Sequence, residues 1–68
     1  MDLDELKSLT PSELENLLIH KFKTLHITNI MEDEIRASGI SRRELQATRD
    51  QILDDILLIQ RLLKKTRL

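Results

Sequence analysis

Residues 41–66, SRRELQATRDQILDDILLIQRLLKKT, decide the fold. Ser41 stands three residues before Glu44 and is flanked by Ile40 and Leu45, so a capping box and a hydrophobic staple mark a helix start. From there Leu45, Ile52, Ile56, Ile59 and Leu63 recur at alternating spacings of three and four, interrupted only by Arg49. That is the seam of a coiled-coil-like helix. A helix over 42–66 is roughly 37 Å long at 1.5 Å per residue, against roughly 22 to 28 Å across a compact domain of this size.

Leu53, Leu57, Leu58 and Leu62 lie outside the stripe, on both of its flanks. The eight apolar side chains between Ile52 and Leu63 sweep about 260° of the circumference, where a surface helix shows an arc little wider than 100°. Only Asp54, Gln60 and Arg61 wet the helix, with Asp55 intruding. Two short helices do not cover such a surface, and left bare it aggregates. The sequence therefore predicts an interface formed by Leu45, Ile52, Leu53, Ile56, Leu57, Leu58, Ile59, Leu62 and Leu63, with parallel or antiparallel pairing of this helix in a homodimer. A partner helix from another protein is the alternative occupant, and a closed monomeric bundle remains the competing arrangement.

Outward from this helix the pattern stays helical. Thr10, Pro11 and Glu13 form a second capping box with proline at the first helical position, and Leu9 and Leu14 fall at the staple positions. The helix they open is expected over 11–24, with Leu14, Leu17, Leu18, Phe22 and Leu25 toward the core. A short helix over 2–8 presents Leu3 and Leu6. Residues 24–29 read as a connection, because Thr24, Thr28 and Asn29 are β-branched or cap-forming. Asn29 is then expected to cap a helix over 30–38 with Ile30, Met31 and Ile35 on its apolar side and Gly39 at its left-handed end. The sum is one all-α domain over 1–68, a small three- to four-helix bundle with a long C-terminal helix, expected to be dimeric from the seam alone.

Composition agrees. Hydrophobic residues make up 40% and charged residues 34%, with a single aromatic, one Gly and one Pro. That is the content of helices packed on helices rather than of a disordered chain. Cysteine is absent, which removes disulfides and thiolate metal sites and fits a cytoplasmic location. The longest apolar run, Ile56 to Ile59, is far below the roughly 20 residues that span a bilayer, and the acidic start Asp2, Leu3, Asp4, Glu5 has no signal-peptide core. Met1 is compatible with a complete chain.

No catalytic residue, metal site, cofactor or small-molecule substrate is expected. His20 and His26 stand six apart, on different helix faces, without a liganding carboxylate at i+3 or i+4. Glu32, Asp33 and Glu34 point 100° apart and suit the start of a helix. A glycine-rich phosphate loop needs more than one Gly.

Charge is polarised. Residues 1–34 carry a balance of −5 and residues 35–68 one of +4 within a net −1. Residues 34–51 look like a helix-turn-helix around Ser38, Gly39, Ile40 and Ser41. Arg42 and Arg43 oppose the helix dipole in the first turn of its second helix, a local rule broken in the way functional positions break it. Arg36, Ser41, Arg42, Arg43, Gln46 and Arg49 are thus candidates to meet an acidic partner or nucleic acid. The position four before Gly39 is Ile35, where such motifs carry a small residue, and the acidic half repels phosphate. The first reading is a non-enzymatic interaction or oligomerisation module of regulatory or adaptor type; the alternative is a small DNA-binding regulator.

Overall fold

Each helix begins where its cap residues place it. The structure, a computed structural model describing residues 2–66, consists of α1 (Leu3–Lys7), α2 (Pro11–Ile30), α3 (Glu32–Ala37) and α4 (Arg42–Thr66), with no strand among the described residues. The all-α expectation holds. Asp2 caps α1 by accepting from the Asp4 N–H at 3.0 Å. Thr10 accepts from the Glu13 N–H at 3.2 Å while Glu13 accepts from the Thr10 N–H at 3.0 Å, so the capping box closes in both directions. The Thr10 N–H first, and then the Thr10 hydroxyl, hold the Glu13 carboxyl below its ordinary value. Ser41 accepts from the Glu44 N–H at 3.1 Å at the head of α4.

The expected connection over residues 24–29 is helix instead. α2 runs 20 residues, to Ile30, because its threonines satisfy their hydroxyls inside the helix rather than competing with it. Thr24 donates to the His20 carbonyl at 2.9 Å and Thr28 to the Thr24 carbonyl at 2.8 Å. Asn29 accordingly caps nothing: Met31 occupies the junction, without a side-chain cap, and α3 starts at Glu32. Ile30 ends α2 and is exposed, Met31 is exposed, and only Ile35 of the expected apolar side is partly covered. Gly39 follows α3 with φ of +106°, the left-handed conformation expected of it.

α2 and α4 pair antiparallel. Leu14, near the start of α2, shares a cluster with Ile59 and Leu63 near the end of α4. Further along, Lys21 reaches Asp55 at 3.2 Å, and beyond the end of α2 Glu32 reaches Arg49 at 3.4 Å. Residue numbers rise on one side and fall on the other. The seam residues Leu45, Ile52, Ile56, Ile59 and Leu63 are all buried, because the extended α2, roughly 30 Å long, runs beside most of α4. α1 closes one end through Leu6, 1% exposed, against Leu14, Ile59 and Leu63, with Leu9, Leu17, Leu18, Leu58 and Leu62 packed around them. The result is a helical hairpin with extents of 44 × 18 × 15 Å and a radius of gyration of 14.0 Å, against about 11 Å for a compact domain of this length.

Candidate protein-docking face

The two long helices share a heptad-like register. On α4 the seam alternates between Leu45, Ile52, Ile59 and Arg49, Ile56, Leu63; on α2 it alternates between Leu14, Lys21, Thr28 and Leu18, Leu25. In an antiparallel pair of right-handed helices, positions that follow the seam on one helix and on the other fall on the same side of the pair. Leu53 follows Ile52, and Phe22 follows Lys21. Leu57 and Ile19 lie one turn away on the same flanks. Four large apolar side chains thus share one side of the hairpin.

All four are uncovered. Leu53 is 44% exposed, Phe22 47%, Ile19 53% and Leu57 53%. The opposite side differs at the end that α1 closes, because Leu17, Leu58 and Leu62 there are partly buried against the cluster that α1 completes, while Ile27 farther along is 53% exposed. The side that carries Ile19, Phe22, Leu53 and Leu57 has no such helix on it.

This divides the nine interface candidates on α4. Leu45, Ile52, Ile56, Ile59 and Leu63 form the core within one chain rather than a surface for another, because α2 is longer than its threonine-rich end suggested. Leu58 and Leu62 pack against that core. Leu53 and Leu57 remain exposed and face the same way. Ile19 and Phe22 complete the surface from α2, and sequence reasoning did not find them: Phe22 was expected in the core and Ile19 carried no assignment. The signal was present in their spacing of three, one step off the stripe, but it becomes readable only when α2 continues past Thr24.

Asp55 does not simply intrude into the apolar arc; it is 6% exposed and bridges to Lys21, while Gln51 donates to its carboxylate at 3.1 Å. Burial raises its pKa, but the hydrogen bonds from Lys21 and Gln51 and the Lys21 charge outweigh burial, and the carboxyl sits below its ordinary value. Lys21 and Asp55 also set the register, since each must find the other on a largely apolar seam. Arg49, expected on a contact surface, has a partly buried side chain paired to Glu32, with its Nε buried and without a hydrogen-bond partner.

Of the other candidates on the basic half, Ser41 is engaged in capping α4. Arg36, Arg42, Arg43 and Gln46 are exposed. Arg42, Arg43, Gln46, Ala47 and Asp50 line one shallow open hollow on the first turns of α4, so a carboxylate shares it with the two arginines. Ile40 is 39% exposed and Leu45 is buried, so the staple expected between them leaves its first member partly in solvent.

His20 and His26 are exposed on α2. Among the described residues no group of three His, Cys, Asp or Glu side chains is placed to hold a metal ion, and no helix is long and apolar enough to cross a membrane. Comparison with protein-family models, with characterised proteins and with solved structures finds no match.

Proposed function

We propose that this chain is a non-enzymatic protein-interaction module that docks another polypeptide on the apolar side shared by α2 and α4. The observation that supports it is the exposure of Ile19, Phe22, Leu53 and Leu57 together on one side of the hairpin. Complete burial of such a side chain is worth roughly 1.5–3 kcal/mol, so covering the exposed half of each returns roughly 1 kcal/mol per residue. Four such residues contribute roughly 4 kcal/mol toward association, the apolar centre of a contact rather than the whole of it. Scattered single hydrophobics would carry no such meaning.

The test places a photo-crosslinking amino acid at Leu57 and, as a control, at the exposed Asp54 on the back of α4. Discrete protein adducts are expected from position 57 in cells and none from position 54. Equal labelling from both, or none from either, overturns the reading. Leu53→Glu combined with Leu57→Glu should keep helicity, because both positions are exposed, and should abolish the association.

A second reading rests on Arg42, Arg43 and Gln46 lining one hollow at the head of α4. Under it the basic first turn meets the phosphates of duplex DNA. Binding would fall steeply with salt through counterion release, and Arg42→Ala with Arg43→Ala would remove it. No binding to duplex DNA at about 50 mM salt eliminates this reading.

A further inference from the structure

The surface that supports docking is also patterned to receive itself. Because Lys21 and Asp55 stand level, each step up α2 corresponds to one step down α4. Ile19 is then level with Leu57, Phe22 lies within one residue of the level of Leu53, and His26 is level with Asp50. All six occupy the same uncovered side, and all six are exposed.

A twofold axis running along the hairpin, just outside this side, preserves every height and exchanges the two helices. It lays α2 of one copy over α4 of the other. Ile19 then meets the second copy's Leu57, Phe22 meets its Leu53, and the His26 imidazole N–H meets its Asp50 carboxylate, each pairing occurring twice. At one end Glu15 comes within one residue of the level of Gln60 and within one turn of Lys64 of the second copy. Apolar groups meet apolar groups, and donors and cations meet carboxylates.

A twofold axis across the hairpin, which reverses one copy, keeps the same apolar groups together. It sets α2 on α2 and α4 on α4, pairs Ile19 with Phe22 and His26 with Glu15, and brings Leu53 within one residue of the level of Leu57.

Resting on the docking reading above, we infer that the occupant is a second copy of this chain, seated face to face through Ile19, Phe22, Leu53 and Leu57. The product is a four-helix bundle whose neighbouring helices are all antiparallel, a common way to close such a layer. A side 44 Å long and up to 18 Å wide offers about the 800 Å² per partner of a standard specific interface. The chain exposes 5237 Å² in all, against about 4,450 Å² for a compact monomer of its mass. The excess is of the size that one such interface removes.

Sedimentation equilibrium of the full chain tests this with a charge exchange. The wild type is expected to be a dimer at about 100 µM, and His26→Asp or Asp50→Lys alone to weaken it by about tenfold, because each sets unpaired or like charges across the interface. Under the parallel twofold the double variant His26→Asp, Asp50→Lys places a carboxylate opposite an ammonium and should return the affinity to within about threefold of wild type. Both positions are exposed, and circular dichroism checks that each variant keeps its helices.

A double variant weaker than either single one assigns the reversed twofold, which sets the carboxylate introduced at position 26 against Glu15 and the ammonium introduced at position 50 within one turn of Lys64, whereas single variants that leave the affinity unchanged overturn this face as the interface. A monomeric wild type overturns the second copy as occupant. In that event adducts from position 57 to a different chain would leave the docking reading standing, and the absence of adducts would remove it as well.

Discussion

Lys21 and Asp55 show what one buried pair does in a thin core. An aspartate 6% exposed beside the seam is tolerated because Lys21 and Gln51 satisfy its oxygens. Its carboxyl pKa lies below the unfolded value, so the pair's contribution to stability is complete above the unfolded value near 4 and is lost as pH falls through the folded one. Urea titrations from pH 7 down to pH 2 should show that loss, and Asp55→Asn should flatten it. Asp55→Ala should cost about 1–3 kcal/mol by stranding the ammonium. Lys21→Met with Asp55→Leu should be neutral or stabilising, since well-packed apolar pairs often replace buried ion pairs without loss. At Gly39 space is no obstacle, as an added Cβ meets nothing within 4 Å, but φ of +106° is strained for any L side chain. Gly39→Ala should therefore destabilise by about 1–2 kcal/mol, read as a lower thermal midpoint with an unchanged spectrum.

At the scale of the element, α2 decides more than its sequence advertised. Its start was legible because Thr10, Pro11 and Glu13 are local signals that need no tertiary context; Thr10→Ala should cost about 1 kcal/mol in chemical denaturation. Its end was not. Thr24, Thr28 and Asn29 are poor helix formers in isolation, and the expected break there follows from intrinsic propensity. In the folded chain Thr28 is buried and Leu25 partly so, and the packing gain outweighs a few tenths of a kcal/mol of propensity per residue. Amide exchange offers a direct check: the N–H groups of residues 25–30 should be protected to nearly the same degree as those of residues 17–22, whereas a loop would exchange them within the dead time. α4, by contrast, has the bounds that its caps and periodicity indicated.

For the whole molecule the division between core and surface carries the functional argument. Ile59, 0% exposed between α1 and α2, belongs to the fold itself. Ile59→Ala should cost about 2–5 kcal/mol, and Ile59→Asp or Ile56→Asp should unfold the chain at any concentration rather than merely separate subunits. Leu57→Glu should leave the unfolding midpoint of the isolated chain within about 0.5 kcal/mol of wild type. If Ile59→Asp remained helical while Leu57→Glu melted, the division would be inverted.

By itself the sequence determined the helical class, the starts of α2 and α4, the left-handed turn at Gly39 and the excess of apolar surface on α4. Each of these depends on residues within a few positions of one another, through caps, spacing or backbone conformation. Only the tertiary structure decided where α2 ends, that Asp55 is tied to Lys21, and which leucines of α4 face their own chain. Those outcomes depend on two helices distant in sequence lying at a particular register. The free energy that fixes the register comes from buried area and from ion pairs such as Lys21–Asp55, neither of which is a property of a single segment.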